Sequence, residues 1–421
     1  VTIVSNTGWH LPDSPPQFQN QPLYLDNSAT SFPKPPEVLQ AMVHYATHVG
    51  ASAGRGFHAA AQESGRMIRT CRERLNTLFN GENPNHFIFS LNCSDALNLA
   101  IGGWLRPGDH VITTHMDHNS VLRPLNALVA DGRITQTRVP VDPQSCAVDP
   151  DDIRKAITPK TRLIAVVHGS NVTGSLQPIR HIGRVARDAA IPFLVDAAQT
   201  AGHVPIDVRA DGIDFLAFPG HKGLLGPLGT GALYIKPGLE KILRPIRFGG
   251  TGSVSEQDVQ PDFMPDKFEP GSHNAIGIAG LSAGVAWILN RGVPALFEHD
   301  RMLCRTFIEN VDGVDGLRYF GPQGVKDRIG VFSVRIDGTD PLALAKTLET
   351  EFRILTRPGL HCAPLAHRTL GTSIANDPHQ GTTRLSFGPF LSVADVKYAA
   401  DALADVALRH RDPLAAAISN D

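Results

Sequence analysis

The sequence predicts an α/β protein, with a large domain on a mostly parallel sheet and a smaller α+β domain after it. Three observations carry this. Short apolar runs, "HFIFS", "HVITT", "TRLIAVVH", "PFLVD" and "DFLAF", alternate with stretches of helical length through the first half of the chain. The runs are nearly continuous in apolar character, as strands covered by helices on both faces are. After about residue 275 the alternation gives way to a long helical stretch, isolated strand-like runs and a closing helix.

The elements follow in order. Residues 1–22, "VTIVSNTGWHLPDSPPQFQNQP", are polar and Pro-rich and lack the charged-then-apolar layout of a secretory signal; they read as an arm before the fold begins near Tyr24. Residues 23–275 form the large domain, whose earliest residues have the option of packing with the smaller one. Its helices are expected in "DALNLAIGGWL", "NSVLRPLNALVADG" and "IRHIGRVARDAAI" between the strands. Residues 276–421 form the small domain, with "AIGIAGLSAGVAWILNRG" at its start, then "VFSVRI", "PLALAKTLETEF", "TTRLSF" and "SVADVKYAADALADVALRH". A chain of 421 residues has room for both.

Composition narrows the function. With 39 basic and 41 acidic residues the formal charge is -2, which gives no footprint for nucleic acid or for a membrane surface. Apolar runs fall short of the roughly 18 residues of a membrane span. The 5 cysteines are an odd number without CxxC spacing, against both a disulfide framework and a zinc ribbon. The reading is a cytoplasmic protein with small, soluble partners.

Ligands of such sheets sit at the carboxyl ends of the strands. There the sequence puts His118 and Asn119, His168 and Asn171, Asp196 and Gln199, and His221 and Lys222. Lys222 follows a strand-like run in "DFLAFPGHKGLLGPLGTGALYI". A lysine after a strand is ordinarily a solvated loop charge, but His221 beside it and Gly220, Gly223 and Gly226 suggest backbone brought close to a ligand. A desolvated lysine can form a Schiff base with an aldehyde. Asp196, ending "LVD", is either a helix cap or a carboxylate for the ring nitrogen of pyridoxal phosphate. Cys362, in "RPGLHCAPLAH", has the default of a small buried hydrophobe. Its neighbours Arg357, Gly359, His361 and two prolines read instead as a loop with basic groups that favour a thiolate.

Taken together, "LVDAAQ" and "PGHKG" resemble the class V, fold type I enzymes that use pyridoxal phosphate. The likeness runs from Tyr24 nearly to the C-terminus through "YLDNSATSFPKP", "GRGFH", "MDHNSV", "HGSNVTG", "FEPGSHN" and "TTRLSF", and "RPGLHCAPL" is similar to the cysteine loop of group II cysteine desulfurases. The resemblance implies a seven-stranded, mostly parallel sheet and the conversion of L-cysteine, or of L-selenocysteine in a lyase variant, to L-alanine. An epimerase or hydrolase of the same class is the further alternative. Sulfur would pass to Cys362 as a persulfide and on to an acceptor protein, as in iron–sulfur cluster assembly.

Residue by residue, the resemblance implies that Lys222 holds the cofactor and moves the Cα proton. Asp196 would face the pyridine nitrogen and Gln199 the phenolic oxygen. His118 would stack on the ring and exchange a proton with the substrate thiol. Ser94 and His221 would bind the phosphate, and Asn171, Arg384 and Arg357 the substrate. Ser272 matches a position whose hydroxyl reaches the cofactor phosphate of the neighbouring subunit, and Arg55 and His58 match substrate-binding positions that approach a partner's site, which implies a homodimer. Pro219, Asn92-Cys93-Ser94, Leu360 and the long segment 363–383 depart from the family pattern.

Overall fold

The computed structural model describes residues 21–53, 56–373 and 380–411. Nearly all of the expected arm therefore lies outside the described residues. Seven strands form one sheet in the order Phe87–Ser90, Gly231–Ile235, Phe215–Pro219, Phe193–Asp196, Thr161–Val167, His110–Thr114 and Thr135–Val139. All neighbours run parallel except Gly231–Ile235, which is antiparallel to both of the strands beside it.

The strands are apolar throughout because each face has its own core. Phe193 and Val195 enter one core and Leu194 the other; Leu216 and Phe218 enter the first, Phe215 and Ala217 the second. That is the two-residue alternation of a pleated strand buried on both sides. Side chains at the strand ends are then free to face the crevice.

A second sheet is built from Arg357–Gly359, Thr382–Ser386, Val331–Ile336 and Leu317–Tyr319 in that order, all antiparallel. Phe332 and Leu385 pack there against Phe307, Leu348 and Leu403. Leu23–Tyr24 pairs in parallel with Ile354–Leu355, and Leu25 lies in the same core. The first described strand is thus joined to the small-domain part of the chain.

The helix Ala275–Arg291 carries Ile278, Leu281, Val285 and Ile288 into the core of the large sheet, not that of the small one. A division at 275/276 therefore cuts this helix away from the core it packs in. The segment read as a loop around Cys362 contains two regular pieces, the strand Arg357–Gly359 and the helix Pro364–Thr369, with only the turn between them irregular. Among the described residues no single helix is long and apolar enough to cross a membrane.

Candidate active site

Seven of the candidate residues line one pocket of about 500 Å³ at the carboxyl ends of the strands: Ser94, His118, Asn171, Asp196, Gln199, His221 and Lys222. They arrive on five turns, Asp196 sharing one with Gln199 and His221 another with Lys222. Ser94 stands in the first turn of the helix Cys93–Trp104, whose N-cap Asn92 accepts from the Asp95 amide at 3.0 Å. Its hydroxyl is 2.6 Å from that of Ser120. Two hydroxyls beside free helix-terminal N–H groups make an anion site.

Asp196 stands at the end of its strand, where the pocket opens. It caps a turn by accepting from the Ala198 amide at 2.9 Å, and it faces the pocket, where the Cys93 thiol donates to the same oxygen at 3.4 Å. Burial pushes its carboxyl up, opposed by the Ala198 N–H, Lys222 and the Cys93 thiol. Lys222 lines the pocket and is lowered to about 8, first by burial and then by Arg384, with Asp196 working against the shift. At pH 7 roughly a tenth of the amine is then neutral, far more than for an ordinary lysine.

His118 caps the helix Asn119–Ala130: the Ser120 amide donates to Nδ1 at 3.0 Å. In the neutral ring the proton is then on Nε2. Burial, helped by Lys222 and several arginines, lowers His118 to about 4, so the neutral form prevails at pH 7. His221 is likewise lowered to about 4 by burial and then by Lys222 and Lys34.

The substrate-side residues are linked to one another. Arg357 and Arg384 are directly opposed across the antiparallel pair. Arg384 donates to Asp26 at 2.6 Å and to the Asn171 carbonyl at 3.1 Å. The Asn171 amide donates to the His361 carbonyl at 2.6 Å, and the Asn119 N–H to the Cys362 carbonyl at 2.9 Å. Cys362 is exposed, whereas the other four cysteines are buried. Two short links thus tie its loop to the pocket.

Not every expectation converges here. His168 turns away to Thr200, at 3.0 Å, and burial lowers it to about 3. Ser272 is exposed in a separate groove with Leu91, Gly229 and Arg247, and His58 is an exposed helix cap. Arg55 lies outside the described residues. Gly220, Gly223 and Gly226 serve protein packing: a Cβ there would meet Thr230, the Ala201 carbonyl and the Gly220 carbonyl respectively. Sequence reasoning missed Ser120, Cys93 and Asp26 as parts of the site, although each lies within a quoted motif.

The class-V aminotransferase model matches residues 23–399. The chain belongs to the class-V aminotransferase family. A probable cysteine desulfurase of Methanothermobacter thermautotrophicus is 34% identical over 91% of this chain and 94% of its own length. A cysteine desulfurase of Escherichia coli O157:H7 is 30% identical over 81% and 84%. The solved cysteine desulfurase of Thermococcus onnurineus superposes with a TM-score of 0.86 at 29% identity, covering 96% of this chain and 99% of that one.

Class-V enzymes use pyridoxal phosphate, and the residues present fit it. Asn171 Oδ1, His221 Nδ1 and Arg384 Nε are buried without a hydrogen-bond partner among the described residues. Buried polar atoms are seldom left so unless something else satisfies them. Two of these orphans belong to pocket-lining residues, and the third is on the arginine bonded to Asn171.

Proposed function

We propose that the protein is a pyridoxal-phosphate-dependent L-cysteine desulfurase. L-cysteine and the Cys362 thiol give L-alanine and a Cys362 persulfide, so the sulfur atom moves and no external oxidant is needed. The observation that carries this reading is the position of Cys362: the one exposed cysteine, on a loop tied by Asn171 and Asn119 to the pocket of Lys222 and Asp196. An epimerase or a hydrolase has no use for a thiol placed there.

Bound pyridoxal phosphate supplies an electron sink for charge developing at the substrate Cα. Lys222 holds the cofactor and, with its lowered basicity, moves the Cα proton. Asp196 would keep a proton on the ring nitrogen, and Gln199, whose amide donates to the Ser28 carbonyl at 3.1 Å, would use its second N–H for the phenolic oxygen. Ser94, Ser120 and His221 would hold the phosphate. His118 would serve the ring and offer Nε2 for proton exchange with the substrate thiol. Arg384, supported by Asn171 and Arg357, takes the substrate carboxylate. Persulfide sulfur then leaves to an acceptor protein.

The test combines three measurements. Borohydride reduction of the holoenzyme is expected to fix the cofactor on Lys222. Mass spectrometry after one turnover with L-cysteine is expected to find the persulfide on Cys362. Cys362→Ala is expected to keep the cofactor absorbance, lose most activity on L-cysteine and retain more of it on L-selenocysteine. Wild-type desulfuration by Cys362→Ala, or persulfide only on another cysteine, would sink the proposal.

A further inference from the structure

The turn that carries Cys362 has an unusual backbone. His361 and Cys362 both have positive φ, at 50° and 58°. Two successive non-glycine residues in the left-handed region are disfavoured and persist only where their surroundings fix them. Beneath the turn is a chain of buried polar groups that the proposed reaction does not use.

His361 Nε2 lies 2.9 Å from the Arg357 carbonyl, and His361 Nδ1 lies 3.2 Å from His367 Nε2. His367 Nδ1 is 2.8 Å from the Thr372 hydroxyl. Only one assignment of protons satisfies this chain if both rings are neutral. A carbonyl can only accept, so His361 carries its proton on Nε2 and accepts at Nδ1. His367 must then donate from Nε2 and accept at Nδ1, and Thr372 donates its hydroxyl proton.

Both rings are held neutral by what faces them. His367 and Thr372 are fully or almost fully buried and His361 is 4% exposed. Arg384 and Arg357 face His361, and Arg335 and Arg384 face His367; burial is the larger cause and these cations add to it. Thr372 is itself fixed, since its carbonyl accepts from Arg335 at 3.0 Å and from the Gly381 N–H at 2.8 Å. The Thr372 hydroxyl also lies 3.2 Å from the His367 carbonyl, a longer second acceptor for its one proton, so both of its contacts fall on His367.

We infer that His367 is a positioning residue for Cys362, holding through His361 the left-handed turn that presents the thiol. The inference rests on the reading of Cys362 as the sulfur acceptor. His367 stands on the helix Pro364–Thr369, five residues beyond the thiol, and acts through His361 without touching the cofactor pocket. The His361 ring is gripped from two sides while its carbonyl takes the Asn171 amide, which leaves the turn little freedom.

Two substitutions separate hydrogen bonding from packing. His367→Leu keeps much of the apolar volume and removes both bonds. His367→Gln restores one donor and one acceptor. In the holoenzyme without substrate, amide exchange over 357–372 and at Asn119 is expected to quicken roughly tenfold in His367→Leu, as loss of about one net buried hydrogen bond implies. Persulfide formation on Cys362 in a single turnover is expected to slow in parallel, with unchanged cofactor absorbance. His367→Gln is expected to recover most of both. Should His367→Leu fail to fold, Thr372→Val, which removes the proton that orients His367, carries the same test.

Wild-type exchange and transfer rates in His367→Leu overturn the inference, and so does a His367→Gln variant as impaired as His367→Leu. Wild-type enzyme that turns over without persulfide on Cys362 overturns instead the desulfurase reading and, with it, the purpose of the relay. The two failures are distinct, because exchange is read with no substrate present.

Discussion

The guanidinium of Arg384 is 1% exposed, bonded to Asp26 and the Asn171 carbonyl, with Arg357 opposite it in the sheet. Burial and the neighbouring Arg357 lower its basicity, and Asp26 raises it. Asp26 is thus the compensating charge for a buried cation, the one that takes the substrate carboxylate in the proposed reaction. Arg384→Lys keeps the charge and loses the planar fork, so KM for L-cysteine is expected to rise about tenfold or more while cofactor binding is retained. Asp26→Asn keeps a hydrogen bond and removes the charge. Since Asp26 itself is 20% exposed, the expected cost is about 1–3 kcal/mol, below that of breaking a wholly buried pair. Urea unfolding of the two variants checks the second expectation and steady-state kinetics the first. The same scale shows a limit of sequence reading: His361 beside Cys362 suggests a cation for the thiolate, yet its ring is neutral and engaged with Arg357 and His367.

At the scale of elements, what was legible is what is buried on both faces. Phe193–Asp196 and Phe215–Pro219 read as strands because Phe193, Leu194 and Val195, and Phe215, Leu216, Ala217 and Phe218, each meet one of two cores. Thr135–Val139 was not legible, because this edge strand is mostly polar and its side chains give no alternation, whereas the other edge, Phe87–Ser90, is apolar. Arg357–Gly359 was hidden by Pro358 and Gly359, residues that mark a turn anywhere but on a sheet edge, where a missing N–H costs no ladder bond. The long helix Ala59–Phe79 does carry a signal, with Ile68, Cys71, Leu75 and Phe79 on its buried side. The helix Ala275–Arg291 is apolar on nearly every side, so its pattern identifies a buried helix and cannot say in which core. Strand-end residues stand in short motifs, so the sequence names together seven residues that line one pocket. Ser120 and Cys93 escaped because their roles depend on contacts with Ser94 and Asp196 made only after folding.

Over the whole molecule, buried titratable groups set the response to acid. Burial lowers His168 to about 3 and His203 and His367 to about 4, and it lowers His361 well below its ordinary value. Near pH 5 each binds a proton only when unfolded, so the stability these four contribute is complete above about 6.5 and is lost as pH falls toward 4. Burial raises Asp117 to about 6 and Asp300 to about 7, which opposes the trend because these two bind protons more tightly when folded. His118 and His221, lowered to about 4, add to the loss and Asp196, raised by burial, opposes it; six groups against three leave a net loss, so Tm is expected to fall between pH 6.5 and 4, and a constant or rising Tm contradicts it. Assembly is the larger question at this scale. Leu91, Leu228 and Phe248 are 59%, 66% and 71% exposed, and all adjoin or line the groove of Ser272; Phe57, next to His58, is 99% exposed. Lone apolar residues on a surface are ordinary, but this grouping calls for a covering partner. A second copy fits, because Ser272 and His58 lie away from their own chain's pocket and match positions expected near a neighbour's. Light scattering is expected to find a homodimer, and Phe248→Glu is expected to weaken association and cofactor retention together. A wild-type protein that is monomeric, saturated with cofactor and fully active would show that one chain completes the site by itself.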